Sequence, residues 1–249
     1  MSAANTMPKT THQTLSLAGF NIQSMPAAAL SGVLQARMQA GKPTALLFAN
    51  TNFVLQCQEL RTWVNSASVV LVNDGVGLDI AAKIIHGQRF FSNLNGTDFL
   101  PFFLKSMASP CKVFLYGGKP GVAEKAAEAI EVMSTHTVVG CCDGYARVSE
   151  QSLREHINAS GADIVLVAMG NPLQEHWIHH NLPHVNASLC VGVGAFFDFM
   201  AGGVKRAPLW VQRIRFEWAF RLMQEPRRLM KRYSLDVVRF LWTCLRYRT

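Results

Sequence analysis

Six apolar runs of strand length recur along this chain, with a helix-length segment between each one and the next. The runs are Ala45–Ala49, Val69–Val72, Val113–Tyr116, Thr137–Gly140, Ile164–Met169 and Leu189–Val193. The intervening segments read as helices over Val54–Asn65, Leu78–Ile85, Thr97–Met107, Val122–Met133 and Gln151–Ala159, with a sixth over Leu173–Asn181. A further helical stretch, Ala27–Ala40, precedes the first run. The runs are continuously apolar rather than alternating, so each strand needs cover on both faces, and helices between parallel strands supply it. The pattern therefore predicts a doubly wound, mostly parallel α/β sheet over residues 13–202, after a loose leader at 1–12.

Composition fits one such domain. The chain has 249 residues, 49% hydrophobic and 16% charged, enough for a sizeable core. It holds no apolar run of bilayer-spanning length and no basic-then-apolar secretory leader, so the expected address is the cytoplasm. Six cysteines are scattered without a C-x-x-C pair, which suits buried free thiols better than disulfides or structural zinc.

Charge is distributed very unevenly. From Gly203 onward there are twelve Lys or Arg and three acids, a net +9 in a chain whose total is +8. A nearly neutral body thus carries a strongly basic appendage at 203–249, which calls for an anionic partner. In its first half Trp210, Ile214, Trp218 and Leu222 recur at spacing four. In its second, Leu229, Tyr233, Val237, Phe240 and Cys244 form one stripe, with Arg228, Arg232, Arg239 and Arg246 on another. A basic amphipathic helix pair edged by tryptophan matches an element lying on an anionic membrane surface. The competing reading packs the same helices on their own sheet or on a neighbouring subunit. Nucleic acid is set aside, because no binding signature accompanies the charge.

Ligands of open parallel sheets bind beyond the carboxyl ends of the strands, so the residues there carry the chemistry. Asn73-Asp74-Gly75-Val76-Gly77 follows the second run, and an Asp between tight-turning residues can face a substrate. Gly117-Gly118-Lys119-Pro120-Gly121 leads into a helix and suits a phosphate, although it is neither a P-loop nor a complete dinucleotide fingerprint. Gly170-Asn171-Pro172-Leu173-Gln174-Glu175 opens another helix, where an acid also satisfies the helix dipole. His176, His179 and His180 have metal-compatible spacing, yet no matching Cys or acid except Glu175, so no metal is assigned. Gly192-Val193-Gly194-Ala195-Phe196-Phe197-Asp198 lacks the third glycine of a nicotinamide-binding fingerprint.

Taken in order, these motifs join Asn95-Gly96-Thr97-Asp98, Asp143-Gly144-Tyr145, Arg206-Ala207-Pro208, Glu217-Trp218, Arg221 and Glu225-Pro226-x-Arg228. From about Asn50 to Tyr233 the set resembles the WecG/TagA/CpsF glycosyltransferases. The resemblance implies a Rossmann-like fold and an inverting, metal-independent, cofactor-free hexosyltransferase. Its donor would be a UDP-sugar, and its acceptor a polyprenyl-diphosphate-linked saccharide at the inner face of the plasma membrane. The hexose would be glucose, N-acetylmannosamine or a uronic acid derivative. Asn93-Leu94-Asn95-Gly96-Thr97-Asp98 looks more like the exopolysaccharide members than the teichoic-acid ones. Carried over by position, Asp74 matches the aspartate proposed as base. Gln174 and Glu175 match the pocket motif and are assigned to the donor, with Asn52, Asn95, Gly117 and Gly118 as further donor or acceptor contacts. Where the family has threonine this chain has Asn50, and Thr51 is the neighbour able to replace it. Arg206, Arg213, Arg221 and Arg228 are the candidates for the leaving diphosphate. A non-catalytic membrane scaffold and a nicotinamide or flavin oxidoreductase are the competing functions, and a homo-oligomer is compatible with all three.

Overall fold

In the computed structural model, which describes residues 12–203, 208, 217–224 and 235–247, the chain opens with a β-hairpin. Strands β1 (Gln13–Leu17) and β2 (Phe20–Ser24) pair antiparallel through a two-residue turn, Ala18-Gly19, both at positive φ (51° and 80°). Two left-handed residues match the right-handed twist of the flanking strands. This hairpin precedes the first element that the sequence pattern predicts, the helix beginning at Ala27.

The rest alternates. Helix α1 (Ala27–Gln39), β3 (Thr44–Ala49), α2 (Thr51–Gln56), α3 (Arg61–Val64), β4 (Val69–Asn73), α4 (Val76–His86) and α5 (Gly96–Ser106) come first. They are followed by β5 (Lys112–Gly117), α6 (Val122–Met133), β6 (Thr137–Cys142), α7 (Glu150–Ser160), β7 (Ile164–Ala168), α8 (Leu173–Asn181), β8 (Leu189–Gly192) and α9 (Phe196–Met200). Two further described helices are α10 (Glu217–Gln224) and α11 (Leu235–Arg246). The strands form one eight-stranded sheet in the order β1-β2-β4-β3-β8-β7-β5-β6, parallel in every pairing except β1 with β2. The predicted doubly wound α/β architecture is thus the observed one.

Handedness decides which helix covers which face. Connections stepping toward β1 (through α2, α3, α7 and α8) pack on one face, whose core includes Leu47, Phe53, Leu60, Val165, Trp177 and Ile178. Those stepping toward β6 (through α1, α5 and α6) pack on the other, with Leu34, Phe48, Phe103, Leu115 and Ile130. This is the arrangement that right-handed crossovers require. Helix α4 stays on the first face before the chain crosses to α5.

The segment expected as one helix over Val54–Asn65 is broken. Phe53, Val54, Cys57, Leu60 and Val64 are all buried, and the step of three from Cys57 to Leu60 is met by a tight turn at Gln58–Leu60 between α2 and α3. All six cysteines are free thiols. Burial raises the Cys190 thiol to about 12.

The basic appendage contributes to the body. Helix α11 packs on α2 and α4, and its Phe240 and Cys244 are buried within the first-face core. Arg61 of α3 lies over the Tyr247 ring, 4.7 Å from its centroid. Leu235, Val238, Trp242 and Leu245 point outward, beside exposed Arg239 and Arg246.

Candidate active site

The carboxyl ends of β3 and β8 are neighbours, yet α2 leaves β3 toward one face and α9 leaves β8 toward the other. Such a divergence opens a crevice, and in open α/β sheets it is where ligands bind.

Two strand ends flank it on the β4 side. Ala49 and Asn73 are paired in register, so Asn50 and Asp74 follow them side by side. The Asp74 N–H donates to the Ala49 carbonyl (2.6 Å). The Gly75 N–H donates to Asn93 Oδ1 (2.7 Å), and the Leu94 N–H to the Asn73 carbonyl (3.1 Å). Gly75 sits at φ +101°, a conformation that strains any side chain. Asp74 is therefore half-buried on a peptide held from both sides, by β3 and by the segment leading into α5. Asn50 Oδ1 accepts the Phe53 N–H (3.0 Å) and caps α2. Thr51 is packed against the start of α4, where a Cβ on Gly77 would stand 2.6 Å from its Cγ2. Asn52 follows in the first turn of α2, half-buried. The first turns of α2 and α4 are thus brought into contact at the crevice.

In the middle of the sheet Gln174 and Glu175 face inward, 4% and 0% exposed. Gln174 Oε1 accepts the backbone N–H groups of Gly170 (3.2 Å) and Gly194 (3.0 Å). Its Nε2 donates to Glu175 Oε1 (2.9 Å), which also accepts from Asn171 Nδ2 (2.6 Å). Burial holds the Glu175 carboxyl above the ordinary carboxylate range, although hydrogen bonds from Gln174 and Asn171 pull it the other way. The sequence assigned both side chains to the donor. The structure sets them beneath the turns that follow β7 and β8.

On the β6 side, Gly117 and Gly118 turn at φ +117° and +74° after β5. The Gly118 N–H donates to the Ala168 carbonyl, and the Gly144 N–H to the Gly118 carbonyl (both 2.9 Å). A Cβ on Gly144 would meet Met169 Sδ at 2.6 Å, so the loop after β6 folds back over β5 toward β7. Tyr145 stands exposed at its tip. Asn95 lies across the sheet as the cap of α5, accepting the Asp98 N–H (2.9 Å) and the Thr97 hydroxyl (2.8 Å).

The three histidines form a row of ring contacts, with His180 5.3 Å from His179 and 6.3 Å from His176 between centroids. His176 Nε2 lies 2.9 Å from Glu59 Oε1, and the His179 ring packs 4.8 Å from that of Trp63. Burial and the neighbouring His180 and His176 push the His179 pKa down. Arg206, Arg213 and Arg228 lie outside the described residues, and Arg221 enters only as a position on α10.

The Asn93–Leu94 clamp on the Asp74 peptide leaves no local signature in the sequence, because it joins segments about 20 residues apart and from opposite faces of the sheet. Compared with known families, the chain matches the Glycosyl transferase WecG/TagA/CpsF family over residues 15–249, nearly its whole length.

Proposed function

The chain belongs to the WecG/TagA/CpsF glycosyltransferase family, and from that membership we propose that it transfers a hexose with inversion from a UDP-sugar to a polyprenyl-diphosphate-linked saccharide. Family membership makes it an enzyme acting on a nucleotide-sugar donor and an acceptor. The finer reading rests on one observation above the rest. The half-buried Asp74 is fixed through its peptide at the edge of the β3/β8 crevice, where a carboxylate can meet an incoming hydroxyl.

In this mechanism the acceptor hydroxyl oxygen attacks the anomeric carbon from the face opposite the diphosphate. Its proton passes to the Asp74 carboxylate, and the bond from the anomeric carbon to the diphosphate oxygen breaks, UDP leaving with the electron pair. The charge gathering on the diphosphate is met by guanidinium groups of the appendage, for which Arg206, Arg213, Arg221 and Arg228 are the candidates. No metal is invoked in this scheme. The donor runs from Asp74 across the turns after β8, β7 and β5, a span of about three to four strand spacings, or ~14–19 Å. Asn50, Thr51 and Asn52 lie at the sugar and acceptor end, and Gly117 and Gly118 toward the nucleotide. An exopolysaccharide or other cell-surface glycan is the proposed product.

The exposed apolar row of α11 and its two exposed arginines favour a peripheral seat on the inner face of the plasma membrane. No helix among the described residues is long and apolar enough to cross a membrane. The test of mechanism is the anomeric configuration of the product read by NMR. Inversion relative to the donor is expected, and retention would contradict a single displacement assisted by Asp74.

A further inference from the structure

A carboxyl group with no contact to water is among the most costly a fold can enclose. Glu175 is such a group, and no ion pair to it occurs among the described residues. What it does have is two amide donors on one oxygen, Asn171 Nδ2 and Gln174 Nε2. Its other oxygen has no hydrogen-bond partner among the described residues.

The need for an acceptor there follows from Gln174. An amide side chain has one accepting and one donating end. The accepting end of Gln174 is committed to two backbone donors, Gly170 N–H and Gly194 N–H. Its donating end must then face the opposite way into the core, and the oxygen waiting there is Glu175 Oε1. With the amide reversed, NH2 would face two N–H groups and C=O would face a carboxyl oxygen. Little space remains for another arrangement, because a Cβ on Gly192 would already lie 2.9 Å from Gln174 Nε2 and 3.3 Å from Leu47 Cδ2. Gly170 and Gly194, at φ +73° and +54°, form the turns that close β7 and β8, and those strands are adjacent.

We infer that Glu175 is a positioning residue, whose buried carboxyl sets the Gln174 amide so that it ties the turns after β7 and β8 into one rigid floor for the donor. The role as donor floor rests on the reading of those turns given above, whereas the tie itself does not. Glu175 touches neither substrate nor the reacting atoms. It acts through Gln174 and Asn171.

Two readouts on the full-length protein test this. In hydrogen exchange, Glu175→Leu should lose protection at Gly170 and Gly194 together by about tenfold or more, while Glu175→Gln, which keeps an accepting oxygen, should retain it. In steady-state assays the leucine variant should show a donor KM raised by about tenfold with kcat within about threefold, and the glutamine variant should restore KM. If Glu175→Leu does not fold, Glu175→Met, closer to glutamate in length, provides the same readings, since its thioether is at most a weak acceptor for the Gln174 amide. Unchanged protection at both glycines in a folded leucine variant would overturn the tie, as would equal loss in the glutamine variant. Lost protection with an unchanged donor KM would keep the tie and remove the donor from it.

Discussion

At the scale of single residues, the proposed transfer depends on how firmly a few side chains are held. Replacing Asp74 with Asn preserves shape and removes the proton acceptor, so kcat should fall by about a hundredfold or more with donor KM little changed. Asn93 makes its contribution through Gly75, whose N–H it accepts at 2.7 Å. Asn93→Ala should therefore lower kcat by about tenfold at constant donor KM, because a misplaced base costs rate rather than binding. A KM effect without a kcat effect would place Asn93 on the substrate instead. Glu175 gives a pH prediction with a definite sign. Burial raises its pKa above the usual 4.5, so the native protein holds a proton that the unfolded chain releases. Its contribution to stability is complete below pH 4.5 and declines as pH rises through the folded value. Denaturant midpoints of wild type and Glu175→Gln should diverge in the variant's favour from pH 4.5 upward, and a constant offset would contradict the assignment. At this scale the sequence was only partly legible. Asp74 stands at a strand end that its pattern predicts. The inward turn of Gln174 and Glu175 was not readable, because one motif in the first turn of a helix serves equally for a ligand or for the core.

At the scale of elements, α11 separates two uses of a basic amphipathic helix. Phe240 and Cys244 point into the core, whereas Leu235, Val238, Trp242 and Leu245 face outward. Phe240→Ala should cost about 3–5 kcal/mol of stability, as for other fully buried phenylalanines. The double variant Val238→Asp, Trp242→Ala should leave the melting temperature nearly unchanged but release the protein from anionic vesicles in a sedimentation assay. Salt should weaken the wild-type association to the extent that arginines drive it. Retention of the double variant on vesicles would assign the outward row to another surface. Point variants are the sounder test, since truncation from Pro208 also removes Phe240 and Cys244 from the core. The sequence pattern placed Phe240 and Cys244 on one stripe, but the neighbouring apolar positions form a second. Only packing on α2 and α4 decides which one is buried. The hairpin β1–β2 has no comparably strong sequence signal, because Gln13–Leu17 and Phe20–Ser24 alternate over only five residues each and Ala18-Gly19 is not a strong turn signal.

At the scale of the whole molecule, the six continuous apolar runs sufficed for the α/β class, because strands covered on both faces leave few architectures open. The strand order and the crevice between β3 and β8 emerge only from the crossovers, which bring together turns more than a hundred residues apart in the chain. The central claim, transfer from a UDP-sugar to a polyprenyl-diphosphate-linked acceptor without a metal, concerns this assembled edge. It is tested most directly by measuring UDP release from UDP-glucose, UDP-N-acetylmannosamine, UDP-glucuronic acid and UDP-N-acetylmannosaminuronic acid. The assay includes a short polyprenyl-diphosphate-linked saccharide and membrane vesicles, with and without EDTA. Acceptor-dependent release is expected from one donor, undiminished by EDTA and lower by about a hundredfold or more in Asp74→Asn. Silence across all four donors from folded, vesicle-bound protein, or activity that EDTA abolishes, would contradict it.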